Sequence, residues 1–168
     1  MTQGRDAVFG DYDDARSYFD AVRSAAQSIA NAARALESMQ ARADLHGASI
    51  VGAVHGGGDN DAMRPVDAML DWQQAQAPLM QQWHGLIDDA RRVLYGPTDG
   101  QGGAVALCDP TSVTVVWLRC ADLRSWKELA MVFLVSETTI RQMYNTAMDI
   151  MDGAGYDGCV AGVGGAED

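Results

Sequence analysis

The chain has 168 residues, 48% of them hydrophobic but only 7% aromatic, a balance that favours helices over a β-sandwich or barrel. No apolar run approaches the roughly 20 residues of a spanning helix, and the opening MTQGRDAVFGDYDD has no apolar stretch and carries acids where a transit peptide has none, so a cytoplasmic protein with no membrane partner is expected. The net charge of -11 argues against general coating of nucleic acid or acidic membranes, and three widely spaced cysteines exclude a disulfide framework or a zinc site built on cysteine pairs.

From Asp13 to about Arg42 the apolar positions follow a heptad: Ala15, Val22, Ile29, Leu36 and Ala43, with Tyr18, Ala25, Ala32 and Met39 between them. Asp11, Asp13 and Asp14 precede this helix, where acids suit the helix dipole and can cap it. Its alanine-rich seam buries little area per turn, so it needs a partner helix. Residues 46–62, rich in glycine, read as a loop. A second helix is expected from about Pro65 to Tyr95, with Val66, Met69, Met80, Trp83, Ile87, Ala90 and Leu94 on one face and a kink or break at Pro78. Residues 1–95 thus read as a long helical hairpin, and a homodimer through these N-terminal helices is expected.

Residues 96–109 hold four glycines and no base, and read as a flexible linker. Residues 110–151 read as a trihelical module. Residues 152–168, glycine-rich and acidic, read as a disordered tail. The fold class expected is therefore all-α. Among these segments only 110–151 is not acidic, holding four bases (Arg119, Arg124, Lys127, Arg141) against four acids.

The strongest pattern lies in Ser125–Met151. A helix-turn-helix needs a small residue where two helices cross, apolar residues around that contact and a tight turn. With Trp126 as the first of twenty positions, Ala130 occupies the fifth, and Leu129, Phe133, Val135, Ile140 and Met143 occupy the core positions. Ser136 begins the second helix as a cap, and the preceding helix offers Val113, Val116, Trp117 and Cys120. Leu134 stands at the ninth position, where a glycine usually turns the chain. An ordinary helical hairpin is the bland alternative.

The stretch from Val115 to Met148 resembles region 4 of the sigma-70 family, through Leu118-Arg119, Ser125-Trp126, Glu128-Leu129-Ala130, Val135-Ser136 and Thr139-Ile140. The whole layout is similar to small phage and prophage regulators of the ArpU and RinA type, on the Asp67–Trp72 stretch, the Ala90–Leu94 helix end and the spacing to Leu118-Arg119. The resemblance implies sequence-specific binding of double-stranded DNA in transcription control, with RNA polymerase as a further partner. Arg141 and Gln142 are then the base readers, because both side chains can bond bidentately to base edges. Ser136 and Thr138 suit phosphate contacts, Arg124 and Lys127 suit backbone clamps, and Glu137 and Asn145 share the outward face. The alternative is an interaction or packaging adaptor whose helices dock on protein.

Other signals are weaker. Gly153–Gly158 matches G-x-G-x-x-G but follows a helix and opens none, and His55–Gly58 has no G-x-S-x-G beside it. His46, His55, Asp59 and Asp61 read as a solvated loop rather than a metal site. The acid pairs Asp13-Asp14 and Asp88-Asp89 read as solvated helix faces. Nothing assembles a catalytic site, so no enzyme activity, cofactor or metal is expected.

Overall fold

The computed structural model describes residues 9–50, 64–97 and 100–164. The protein is all-α. Its helices are α1 (Ala15–Ile50), α2 (Arg64–Tyr95), α3 (Pro110–Cys120), α4 (Trp126–Phe133) and α5 (Glu137–Ala161), with a 3-10 turn at Ala104–Ala106. Among the described residues there is no strand, only an isolated bridge between Phe9 and Tyr12. None of the helices is long and apolar enough to cross a membrane.

The chain divides into two compact units, Met1–Ala26 with His84–Asp168, and Gln27–Trp83. The boundary therefore falls within the two long helices and not in residues 96–109. In the second unit the heptad seam stays half-buried: Ile29, Leu36, Met39, Val66, Met69, Met80 and Trp83 all retain exposure. Trp72 and Gln76 join this face while Gln73 points to solvent. Pro78 does not break α2, because it lies on the exposed face, where water can serve the carbonyl it leaves without a donor. The glycine-rich stretch expected as loop from residue 46 is helical through Ile50, and residues 51–62 lie outside the described residues.

The first unit holds the main core. Asp14 starts α1 by accepting the Ser17 N–H at 2.7 Å, as the acids at this point suggested. Phe9, Tyr18 and Phe19 then meet edge-on or tilted, with ring centroids 5.0–6.4 Å apart, and pack with Val93, Leu94, Met148 and Met151. Asp89 departs from the solvated reading: its carboxylate accepts from Tyr18 (2.8 Å) and Tyr156 (2.6 Å), and Arg92 donates to Tyr156 Oη at 3.0 Å. Two phenols that must enter an apolar cluster thereby keep an acceptor.

Two segments expected to be flexible are built into this core. Residues 152–161 continue α5 across a non-helical Gly155, and Met151 and Cys159 are fully buried. Glycine here serves close approach, not freedom. Gly102 and Gly162 both have positive φ and nearly touch, so that a Cβ on Gly162 would lie 2.6 Å from Gly102 Cα. Gly103, with φ +80°, donates its N–H to Val160 O at 3.1 Å, and a Cβ on it would collide with the Gly96 and Tyr95 backbone. Residues 96–109 are thus a packed connection, with Ala104 and Cys108 buried; residues 98, 99 and 165–168 lie outside the described residues.

Two outcomes follow. Gly103→Ala should cost more than about 2 kcal/mol, since it combines strain at positive φ with a backbone collision, whereas Gly85→Ala, helical and in open space, should stabilise by about 0.5–1 kcal/mol. Urea midpoints measure both, and a neutral Gly103→Ala would restore the flexible linker. The second concerns pH. Burial pushes the thiol of Cys120 up to about 11 and that of Cys159 up to about 12, from 9.0. A pKa raised on folding contributes stability that is complete below the unfolded value and lost as pH rises through the folded one. Stability under reducing conditions should therefore hold up to about pH 9 and decline between pH 9 and 12; a flat urea midpoint across that window would contradict the burial of both thiols.

Candidate nucleic-acid interface

Helices α3, α4 and α5 meet in a second, smaller apolar cluster of Val115, Leu129 and Ile140, bordered by Leu118, Trp126, Ala130, Phe133 and Met143. Each helix begins on a side-chain cap. Asp109 accepts the Ser112 N–H at 3.0 Å with Pro110 as the first residue of α3. Ser125 and Glu128 form a reciprocal capping box, Glu128 N–H to Ser125 Oγ at 3.2 Å and Ser125 N–H to Glu128 Oε2 at 2.7 Å. The Ser125 N–H, and then its hydroxyl, hold the Glu128 carboxyl below the usual carboxylate range. Ser136 caps α5, accepting the Thr139 N–H at 3.1 Å.

Only Leu134, Val135 and Ser136 separate α4 from α5. Leu134 adopts φ 56°, ψ 40°, the left-handed conformation that glycine supplies without a Cβ penalty. Its side chain is 89% exposed, so no packing offsets that strain. Val135, expected in the core, is also exposed, and with Met131 and Val132 these residues form an exposed apolar run beside the turn.

Among the site residues expected from sequence, Ser136, Glu137, Thr138, Arg141, Gln142 and Asn145 are all exposed along the first turns of α5. Lys127 is exposed on α4, and Arg124 lies 3.9 Å from Glu128 in a loose exposed pair. They do not form one face. Arg141 and Asn145 turn toward α1 and line a groove of about 190 Å³ with Arg16, Asp20, Trp126 and Tyr144. Ser136 is engaged in capping.

Trp126 organises this region, a role that its place in the motif does not disclose. The guanidinium carbons of Arg119 and Arg141 lie over the Trp126 ring, 4.4 and 4.9 Å from its centroid, and Tyr144 meets the same ring edge-on at 5.3 Å. Such cation–π contacts are worth about 0.5–2 kcal/mol each. Arg119 also donates to the Arg124 carbonyl at 2.9 Å. Desolvation, and then the charge of Arg23 on α1, lower the pKa of Arg119.

Comparison with family models, curated proteins and solved structures returns no match for this chain.

Leu134→Gly provides a test of the turn. Relief of about 1–2 kcal/mol of left-handed strain outweighs the roughly 0.5–1 kcal/mol that glycine adds in unfolded-chain entropy. The variant should be more stable by about 0.5–1 kcal/mol in urea titration. A loss of stability would mean that the exposed leucine is held by a contact.

Proposed function

We propose that the protein is a sequence-specific DNA-binding regulator of transcription of the phage or prophage type, with α4 and α5 as a helix-turn-helix and α5 as the recognition helix. The observation that carries this reading is the pair of capped helices joined by a three-residue turn on the Val115–Leu129–Ile140 cluster, with a run of exposed polar side chains at the start of the second. Because Arg141 leans on Trp126, Gln142 and Thr138 become the principal base contacts, and Lys127 and Arg124 contact phosphates. RNA polymerase enters only through the resemblance to sigma region 4.

The half-buried seam of the second unit supports dimerisation through the N-terminal helices. Ala32, Ala35, Trp72 and Trp83 line a groove of about 290 Å³ on that seam together with the polar Ser28, Asn31 and Gln76, a mixed surface that a second hairpin would cover. Pairing two modules raises affinity through effective concentration. A second reading, docking on protein, is favoured by the exposed run of Met131, Val132, Leu134 and Val135 and by the net charge of -11.

Selection from random duplexes with the full chain distinguishes them. Enrichment of a defined sequence is expected, and Gln142→Ala should then cost about 1–3 kcal/mol on that sequence and relax preference at one position. A selection that enriches nothing would favour the protein-docking reading.

A further inference from the structure

Helix α5 carries two rows of polar side chains toward the surface, and α1 lies against one of them. Arg141, Asn145, Asp149 and Asp152 recur three or four residues apart, the spacing of one side of a helix. The start of α1 follows this row in reverse. Asp20 and Arg16 line the groove beside Arg141 and Asn145, Arg16 binds Asp149 at 2.9 Å, and the Ala15 N–H donates to Asp152 Oδ1 at 2.6 Å.

The second row is Thr138, Gln142 and Thr146, all exposed. Gln142 and Thr146 each follow a member of the first row, so each stands about 100° round the helix from it. Neither side chain, nor that of Thr138, has a hydrogen-bond partner among the described residues. For a threonine within a helix this is informative. Thr114 shows the ordinary arrangement, its hydroxyl donating to the Pro110 carbonyl one turn back at 2.9 Å, and Thr146 makes no such bond.

The two rows are not equivalent toward a duplex. A major groove about 12 Å wide admits one helix of about 10–12 Å diameter, and not a second helix packed against it. The side of α5 that carries α1 is therefore not the side that enters. Charge agrees with this: Asp20, Asp149 and Asp152 place three carboxylates along that side against the guanidiniums of Arg16 and Arg141, and Arg141 is drawn onto Trp126. The second row has no charged member. From Thr138 to Thr146 it rises about 12 Å, the height of three to four stacked base pairs.

We propose that Thr146 is a base-contacting residue, the third of a reading row Thr138–Gln142–Thr146, and that α1 selects this row by walling off Arg141 and Asn145. The inference rests on the DNA-binding reading above and fixes which face of α5 does the reading. The Thr146 hydroxyl can donate or accept at a base edge, and its methyl group can pack on that of thymine. α1 acts by position alone and touches no base.

The test uses the full chain, with selection from random duplexes followed by fluorescence anisotropy on the enriched duplex. Thr146→Ala should bind that duplex about fivefold more weakly and lose preference at one base pair, next to the pair that Gln142→Ala relaxes. Thr146→Asn should keep a preference there but turn it toward adenine, the base that asparagine bonds bidentately. Both changes fall on an exposed position, and thermal melts verify that the variants fold. If the parent chain selects a sequence and Thr146→Ala leaves it unchanged, or Asn145→Ala relaxes it, the assignment of the reading row is overturned and the regulator reading stands. A parent chain that selects no sequence overturns both.

Discussion

The apolar face of α5 is the constraint on which the first unit depends. Ile140 enters the small cluster with Leu129 and Val115, while Ala147, Met148, Met151 and Cys159 enter the main core. Tyr144 borders both clusters, and its hydroxyl lies 3.8 Å from Cys120 Sγ. A helix that serves two clusters along its length ties the α3–α5 module to the start of α1 and the end of α2. The module is therefore not an appendage on a tether. Replacing Tyr144 or Met148 would be felt on both sides of the point where composition alone suggests a boundary.

What was legible in the sequence follows from local rules. Ser136 declares a helix start within a few residues and is a cap in the structure, and Asp109 and the Ser125–Glu128 box obey the same local rule although they were not singled out. The heptads of the long helices were equally plain, since a 3-4 spacing needs no tertiary information. The glycine segments were not legible. Glycine has one composition and two uses, chain freedom and close approach, and only the partner decides between them. Gly102 and Gly162 meet each other from positions sixty residues apart in the sequence, so neither segment alone discloses the contact. Asp89 is a similar case, because its acceptor role depends on Tyr18 and Tyr156, both distant in sequence.

The candidate site was half legible for the same reason. Exposure at the start of α5 follows from helical periodicity, and Ser136, Glu137, Thr138, Arg141 and Gln142 lie on the surface as the pattern requires. The use of Arg141 does not follow from it. A guanidinium that periodicity assigns to solvent is drawn 4.9 Å from the centre of an indole on the preceding helix. Cation–π attraction is strong enough to choose among rotamers that exposure leaves open. The exposed apolar run at residues 131–135 illustrates the opposite limit: spacing assigned Val135 to the core, yet a turn of three residues leaves it too little depth to reach the cluster.

Net charge is a poor guide to such a surface. At physiological ionic strength charges separated by more than about 8 Å are largely screened when both face solvent. A sum over the whole chain therefore says little about the surroundings of Trp126, whereas Arg119 and Arg141, both within 5 Å of the ring centre, weigh heavily there. Desolvation sharpens the difference, because a half-buried guanidinium interacts through a medium less polarisable than water. The balance of four bases against four acids in residues 110–151 is likewise a sum over the whole module and not a property of any one face. Asp149 is bonded to Arg16 and Glu128 to the Ser125 cap, so two of those acids are already engaged. An acidic chain can thus present a cationic face, provided that its bases converge in space and its acids are spent on its own helix ends and ion pairs.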